Sequence, residues 1–577
     1  MKQELINLVE KSLRSLGVAQ PQIKLDYPEN MDHGDLTTNV ALVYSKQLGT
    51  SPKVLAEKIV ADMKNVRPDF IVDVQVAGVG FINFKLKDQI FFDEILNIAK
   101  TDHVIGGVGA DHKENAGEVL IEYTDPNTFK AFHIGHIMSN TIGESVSRLI
   151  EFSGKKIIRI CYPSDIGLHI AKSIWAMQQH LEEIPSEAAP IEERTQFLGK
   201  MYVEGTKAYD ADPTVKNEID ELNQVIYDKS DQSVNDLYDK GRGWSLDHFQ
   251  LLYGILGTKF DTQIFESEVA AIGLEVVRAH MKGRGATEVF EESDGAVVFK
   301  GEEYGLHTRV FINSRGLPTY ETKDVGLNVT KFRKYPNVER SIVVTANEQN
   351  EYFKVIRKVL SLIDEKNGGK TFHIGHGMLR FSQGKMSSRT GNVITADSLI
   401  GEMKKMVIER IAERNFTADE SDEIATDIAV GAIKYTILRQ AIGGNVIFDS
   451  AASISFEGDS GPYLQYSAVR ANSIIEKAGG SKSASLAIQK PDHVGVLEKL
   501  LVRFPDIAER ANIEYAPQIV SNYLVQLAGS FNSFYAAETI LDKKDPMSDY
   551  RVELTKAFLK TMTRGLWILG IKVPRKM

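Results

Sequence analysis

The residues best suited to chemistry sit in two copies of one four-residue word. His-Ile-Gly-His occurs at 133–136, within KAFHIGHIMSN, and again at 373–376, within KTFHIGHGMLR. Imidazoles three positions apart share one face of a helix, where both can donate hydrogen bonds to phosphoryl oxygens. Donors held ready in this way stabilise a transition state whose charge spreads over a phosphate. Gly135 removes a Cβ where a flat base can lie against the backbone. A third stretch, GKMSSRTGN, sets Lys385 and Arg389 beside the hydroxyls of Ser387 and Ser388, between Gly384 and Gly391. Two cations on a loop with glycine at both ends are what a departing pyrophosphate needs. The competing reading is a four-histidine metal site. No HExxH-type glutamate accompanies the pairs and Cys161 is the only cysteine, so no structural zinc is expected.

The two copies differ in what must position them. Before the first, EVLIEYT (118–124) is a short β-rich run suited to a buried strand. After the loop DPNTFKAF, apolar residues recur at Ile134, Ile137, Met138, Ile142, Val146, Leu149 and Ile150, a helical spacing that Gly154 stops. KIIRICY (156–162) is a second buried strand, so the unit is βαβ and predicts a parallel sheet. His133 to His136 then lie at a helix N-terminus beyond a strand's C-terminal end, where such sheets bind phosphate. The second copy runs into MLRF without helical periodicity. Its expected use is backbone contact with a nucleotide, or a turn holding two partly buried histidines.

At 577 residues the chain is too long for one core. The expected fold is multidomain α/β plus α. An N-terminal α+β domain spans 1–110, and a Rossmann-like, parallel-sheet catalytic domain spans 115–395 with an insertion around 185–305. A helical connector (396–455) and a C-terminal all-α helical bundle (456–577) follow. GGVGADHKENAG (106–117) marks the first boundary. RVFINSRGLPTYETKDVGL reads as sheet-like, and beyond 396 the pattern is helical throughout. Composition is that of an ordinary globular enzyme, 43% apolar and 25% charged. No apolar run approaches the ~20 residues that span a bilayer. The N-terminus lacks a signal-peptide core and carries Glu4 and Glu10, so a cytoplasmic protein is expected. A net charge of −10 argues against a general nucleic-acid coat but leaves room for local basic patches.

HIGH combined with a KMSKS-like loop resembles the signature pair of class I aminoacyl-tRNA synthetases. EYTDPNTFKAFHIGH, LPTYETKDVGL, GKMSSRTGNVIT, FEGDSGPYLQYSAVR, the ending LWILGIKVPRKM and the N-terminal GDLTTNVAL…GFINFKL resemble the arginyl-tRNA synthetase family almost end to end. The resemblance implies that ATP, carried with Mg2+, activates L-arginine to arginyl-adenylate. The arginyl group then passes to the 3′-terminal adenosine of tRNA(Arg). It further implies a monomer that needs tRNA for efficient activation.

Carried over by position, His133, Gly135 and His136 would hold ATP with Gly377, Met378, Lys385 and Met386. Lys130 would join Lys385, Ser387 and Arg389 in catalysis, because the second lysine of KMSKS is Ser388 here. Glu122, Asn127, His136, Tyr320, Asp324 and Gln349 would surround arginine, with Tyr320 and Asp324 on one helical face. A guanidinium pocket discriminates by charge, so no editing domain is expected. Taken singly, Glu122 reads as a strand-end surface residue, Tyr320 as half-buried core and Asp324 as a solvated helix position. For tRNA the resemblance points to Asn83, Tyr466, Arg470 and Met577. The four cations of KFRKYPNVER (331–340) could meet a phosphate backbone or form a solvated face. The competing functions are a glutamyl or glutaminyl enzyme, and a non-catalytic tRNA-binding relative.

Overall fold

The computed structural model describes residues 1–28, 30–64, 66–100, 117–284, 287–381, 394–479, 488–542 and 544–577. Contacts divide the chain into two compact units. One comprises 103–469, 506–525 and 562–577, the other 1–102, 470–505 and 526–561.

The larger unit is built on a five-stranded, wholly parallel sheet. Across the sheet the order is Thr371–His376, Val338–Ala346, Glu118–Tyr123, Lys156–Cys161 and Thr262–Gln263. The first three strands in sequence step one way from Glu118–Tyr123, and the last two add on its other side. The reversal therefore falls between Glu118–Tyr123 and Val338–Ala346, and such a crevice at the strands' carboxyl ends is where open α/β sheets bind ligands. The βαβ expectation holds: the helix Ile134–Phe152 connects the Glu118–Tyr123 and Lys156–Cys161 strands. That helix is buried almost all round, which its small polar residues make possible. Ser139 donates to the Val344 carbonyl at 2.9 Å, Ser147 to the Gly143 carbonyl at 2.8 Å, and Asn140 bridges Thr124 and Thr258. A Cβ on Gly143 would stand 2.2 Å from the Tyr123 ring, so glycine sets how closely helix and strand approach.

The stretch 185–305 holds two excursions rather than one. Helices Ile191–Ala211, Pro213–Asp228 and Gln232–Leu256 form the first. The chain then returns to the sheet at Thr262–Gln263 and enters helix Glu266–Ala279. The second excursion is an antiparallel sheet of Glu291–Ser293, Ala296–Phe299 and Arg309–Ile312. The sheet-like reading fails from Tyr320 onward, where helix Tyr320–Lys334 begins. Local β-propensity loses there to tertiary packing. Gly326 lies against the Val269 carbonyl and Gly273 against the Thr322 carbonyl, so two glycines let the helices Glu266–Ala279 and Tyr320–Lys334 cross in close contact. Among the described residues beyond 396 the helical expectation holds with one exception. Val446–Phe448 is a strand, paired in parallel with Leu379–Phe381.

In the smaller unit, Phe81–Leu86 is the central strand of a three-stranded antiparallel sheet, flanked by Leu36–Thr38 and Ile71–Ala77. Helices Lys2–Ser15, Pro52–Met63 and Asp88–Lys100 accompany it. Leu5, Val9, Leu55, Ile59, Ile82 and Phe84 fill its core, and Val494 and Val502 pack against that core from far along the chain. Lys499 pairs with Asp35 at 2.8 Å, Arg503 lies over the Tyr27 ring, and Phe92 stacks on Tyr550. Helix Val496–Glu514 carries Pro505 in its interior, a residue that masks a helical pattern in sequence.

Candidate active site

His133 is the N-cap of helix Ile134–Phe152, and its backbone is extended. Its Nδ1 accepts the Gly135 N–H at 3.1 Å, while His136 Nδ1 accepts the His133 N–H at 3.1 Å. The two rings stack with centroids 3.8 Å apart. Because both Nδ1 atoms accept backbone protons, each neutral ring carries its own proton on Nε2 and can donate it. Burial lowers the pKa of both histidines, with Lys130 adding to the effect, so neutral donors are the resting state. Gly135 answers first to its own turn: a Cβ there would stand 2.9 Å from His133 Cε1.

The loop before this helix is held in strained backbone. Thr124, Asp125 and Phe129 all have positive φ, at 82°, 41° and 62°. Non-glycine residues hold such angles only where the surroundings over-determine them, and functional sites are where this clusters. Here Thr124 N donates to Ser139 Oγ, Tyr162 N to Asp125 Oδ1 and Phe129 N to Ser245 Oγ, at 3.0, 2.7 and 2.9 Å. The Phe129 ring is fully buried in the core that the inserted helices share with Ile170, Ile174, Met201 and Trp244. The first insertion therefore fixes the approach to HIGH.

Beside this loop lies a cluster of acids. Glu122 is buried and ion-paired with Lys331, so it is no surface residue, and Lys331 is no free cation of the 331–340 stretch. Glu266 pairs with Lys323, both buried. Asp125 and Asp324 add two carboxyls to these two ion pairs. Burial and the nearby Glu122 carboxylate raise the Asp125 pKa well above its ordinary value. Asp324 accepts from Tyr352 Oη at 2.6 Å and is pushed up to about 7, chiefly by burial, with Glu122 also opposing its charge. Four carboxyls and only two ammonium groups make a buried, acid-rich cluster. A guanidinium with five donors suits it. Tyr320 and Asp324 lie one turn apart on helix Tyr320–Lys334, and Tyr320 is exposed with Lys323 Nζ 4.4 Å from its ring centre. Asn127 bridges to Ser164, and Gln349 is exposed just past the carboxyl end of strand Val338–Ala346. The sequence does not single out Asp125, Tyr352 or Lys323, and Lys331 stands out in it only as one cation of the 331–340 stretch. Asp125 had a signal, as an acid directly after a buried strand; the others are partners that only the fold supplies.

Lys385, Met386, Ser387 and Arg389 lie outside the described residues. The segment that follows them does not. Ile134 N donates to the Ile394 carbonyl at 3.2 Å, and Ala396 N to the Phe132 carbonyl at 2.8 Å. Residues 394–396 are thus bonded to both sides of His133. Lys130 Nζ sits 4.6 Å from the Tyr202 ring centre. Gly377 is buried against the Gly444 carbonyl, and Met378 is exposed with its N–H on Asn445 Oδ1. The second HIGH is strand Thr371–His376 rather than a turn.

The residues expected to meet tRNA divide. Asn83 is buried and accepts from Thr37 Oγ1 at 2.6 Å, so its side chain serves the sheet interior rather than a surface contact. Tyr466 and Arg470 share helix Gly461–Lys477. Tyr466 meets Phe456 edge-on, while Arg470 lies over the part-exposed Tyr535 ring and donates to Asn532. Met577 is half-buried.

Three family models match the chain: tRNA synthetases class I (R), catalytic domain, over 101–450; the arginyl tRNA synthetase N-terminal domain over 3–86; and the DALR anticodon binding domain over 464–577. Among similar proteins, an arginine–tRNA ligase of Borreliella afzelii is 28% identical over 594 residues, covering 99% of this chain and 98% of that one. One of Bacteroides fragilis is 29% identical over 598 residues, covering 98% of each. The solved Thermus thermophilus arginyl-tRNA synthetase aligns over 100% of both chains with a TM-score of 0.81 at 21% identity. The Plasmodium falciparum enzyme covers 100% of this chain and 99% of its own, with a TM-score of 0.78 at 20% identity.

Proposed function

The chain belongs to the class I tRNA synthetases for arginine, and from that premise we propose how its residues divide the work. It is an arginine–tRNA ligase, consuming ATP to activate L-arginine and charging tRNA(Arg). The α-carboxylate of arginine attacks the α-phosphate of ATP, pyrophosphate leaves, and the tRNA terminal hydroxyl then displaces AMP. His133 and His136 donate their Nε2 protons to phosphate oxygens as charge develops there. Lys130, Lys385, Ser387 and Arg389 compensate the pyrophosphate, Gly377 and Met378 meet the nucleotide, and Mg2+ enters with ATP as part of the substrate. Asp324 takes the guanidinium beside Tyr320, Gln349 and Glu122, while Asn127 and His136 hold the amino-acid backbone.

The observation that carries this reading is the buried cluster of four carboxyls and two ammonium groups next to the loop that leads into HIGH. A glutamate or glutamine side chain brings no cation to it, which separates arginine from the closest alternatives. Tyr466, Arg470, Tyr535 and the Met577 end are the proposed tRNA contacts, aromatic and guanidinium planes being natural platforms for unstacked bases. No helix among the described residues is long and apolar enough to cross a membrane. We place the enzyme in the cytoplasm as a monomer. The test is ATP–pyrophosphate exchange with an amino-acid panel, with and without tRNA(Arg). Exchange with arginine alone among the panel is expected; exchange with glutamate or glutamine, or with none, defeats the reading.

A further inference from the structure

The second HIGH is a strand and not the start of a helix, yet its residues reach both halves of the site. His373 faces the amino-acid side. Its ring stacks on Phe353 with centroids 4.1 Å apart and planes 13° from parallel, and its Nε2 lies 2.8 Å from Thr345 Oγ1. Phe353 meets Tyr352 edge-on at 5.2 Å. Tyr352 in turn donates to Asp324 Oδ2 at 2.6 Å, while the Arg309 guanidinium covers its ring. Each member of this row is at least half-buried, so a displaced His373 ring shifts the hydroxyl that aims Asp324. Gly375 acts between the halves. A Cβ there would stand 2.1 Å from Asn350 Oδ1 and 3.2 Å from the Asn347 Cα, so glycine lets the turn bearing Gln349 close onto the strand.

His376 faces the nucleotide side. It is buried, and its Nδ1 donates to the Gly377 carbonyl at 2.7 Å. Gly377 N–H is taken by the Ile442 carbonyl at 2.8 Å, Met378 N–H by Asn445 Oδ1 at 2.9 Å, and the Met378 carbonyl by Val446 N–H at 2.9 Å. These four bonds fix both peptide groups at the proposed nucleotide contact.

We propose that His373 and His376 are positioning residues for the two pockets separately. His373 orients Asp324 toward arginine through Phe353 and Tyr352, and His376 orients Gly377 and Met378 toward ATP. The proposal rests on the arginine-ligase reading above. It predicts a split that a general packing role does not produce, because misplacing a binding group by about an ångström is costly only for the ligand it serves.

The experiment measures KM for arginine and for ATP in parallel, in tRNA(Arg) charging by the full chain, with thermal unfolding of every variant. His373→Ala is expected to raise KM for arginine roughly tenfold and to leave KM for ATP within about twofold. His373→Phe, which keeps the stacked ring, restores most of that loss. His376→Leu is expected to raise KM for ATP with little change for arginine, and His376→Asn, which keeps an N–H donor, to recover part of it. Equal changes in both constants, unchanged constants with only a lower Tm, or failure of the conservative variants to rescue would overturn the proposal while leaving the ligase reading intact. A wild-type chain that does not charge tRNA with arginine overturns both.

Discussion

At the scale of single residues, the two HIGH words are the sharpest contrast. His136→Ala removes an Nε2 donor and the acceptor that caps the His133 N–H. Arginine activation is expected to fall by about 100-fold or more, the usual loss for one preorganised donor. Binding of tRNA, measured separately, is expected to stay close to wild type, and a parallel loss of tRNA affinity contradicts the assigned role. Asp324 carries a pH prediction. Its pKa of about 7 in the free chain means that folding favours the protonated acid. Stability from this group therefore declines as pH climbs from the ordinary carboxylate range to about 7, then levels off. Guanidinium binding reverses that preference and expels the proton. Arginine affinity is expected to rise with pH up to about 7, and calorimetry in buffers of different ionisation enthalpy to show proton release that Asp324→Asn abolishes.

The residue types were legible in sequence because HIGH, the Tyr320–Asp324 spacing and Asp324 itself sit in short, ordered words. Asn83 was not, because GFINF in a strand does not reveal which face of the sheet is interior. Nor was the Lys331–Glu122 pair, whose partners lie far apart in sequence on neighbouring elements.

At the scale of elements, the strand–helix–strand around HIGH was plain from periodicity, and what hid the rest was competition between local and tertiary preferences. The segment after Pro318 reads as extended until Gly273 and Gly326 let two helices meet. Pro505 obscures a helix that packing sustains. The fit of the HIGH helix on its strand is close, and it offers a direct test. In Gly143→Ala the new methyl overlaps the Tyr123 ring, and Tyr123 Oη is bonded to Glu144 at 2.5 Å on the same helix. Helix and strand must part. Thermal unfolding should register a loss of about 1–3 kcal/mol, as overpacked cores do, together with a lower kcat, because the His133–His136 turn rides on that helix. Gly199→Ala, on helix Ile191–Ala211 with nothing within 4 Å of the added methyl, is the control for helix propensity alone and should stabilise by about 0.5–1 kcal/mol with kcat unchanged.

At the scale of the whole molecule, the larger unit takes in residues 562–577, far along the chain from its sheet. Arg148, on the HIGH helix, donates to the Trp567 and Gly257 carbonyls at 2.9 and 3.0 Å while pairing with Glu144. Lys434, fully buried on helix Ala418–Leu438, donates to the Leu256 and Gly570 carbonyls at 2.6 and 2.7 Å. Burial depresses its pKa to about 7, with Arg148 adding to the effect, and the two protons of a neutral amine match the two carbonyls. Because the folded value lies below the ordinary lysine value of about 10.4, the cost of burying charge is full below pH 7 and is relieved as pH rises above it. Wild-type stability is expected to gain on Lys434→Met by up to about 1.4 kcal/mol per pH unit between pH 7 and 9.5. Parallel stability curves for the two proteins would refute this. A linear domain map read from sequence conceals the arrangement, since residues 562–577 follow the helical C-terminal region yet complete the catalytic unit.

That arrangement has a consequence for how the protein is made. Synthesis runs from the N-terminus, and domains generally fold as they emerge. The Trp567 carbonyl lies 419 residues beyond Arg148 and the Gly570 carbonyl 136 beyond Lys434, so both cations wait for their partners long after their own helices have emerged. A polypeptide abandoned by a stalled ribosome at residue 560 carries both histidines and both cations of its signature words, yet it lacks the piece that locks the HIGH helix in place. Such a chain leaves Arg148 without the Trp567 carbonyl and Lys434 without that of Gly570, two bonds that hold the HIGH helix and its neighbour in the finished fold.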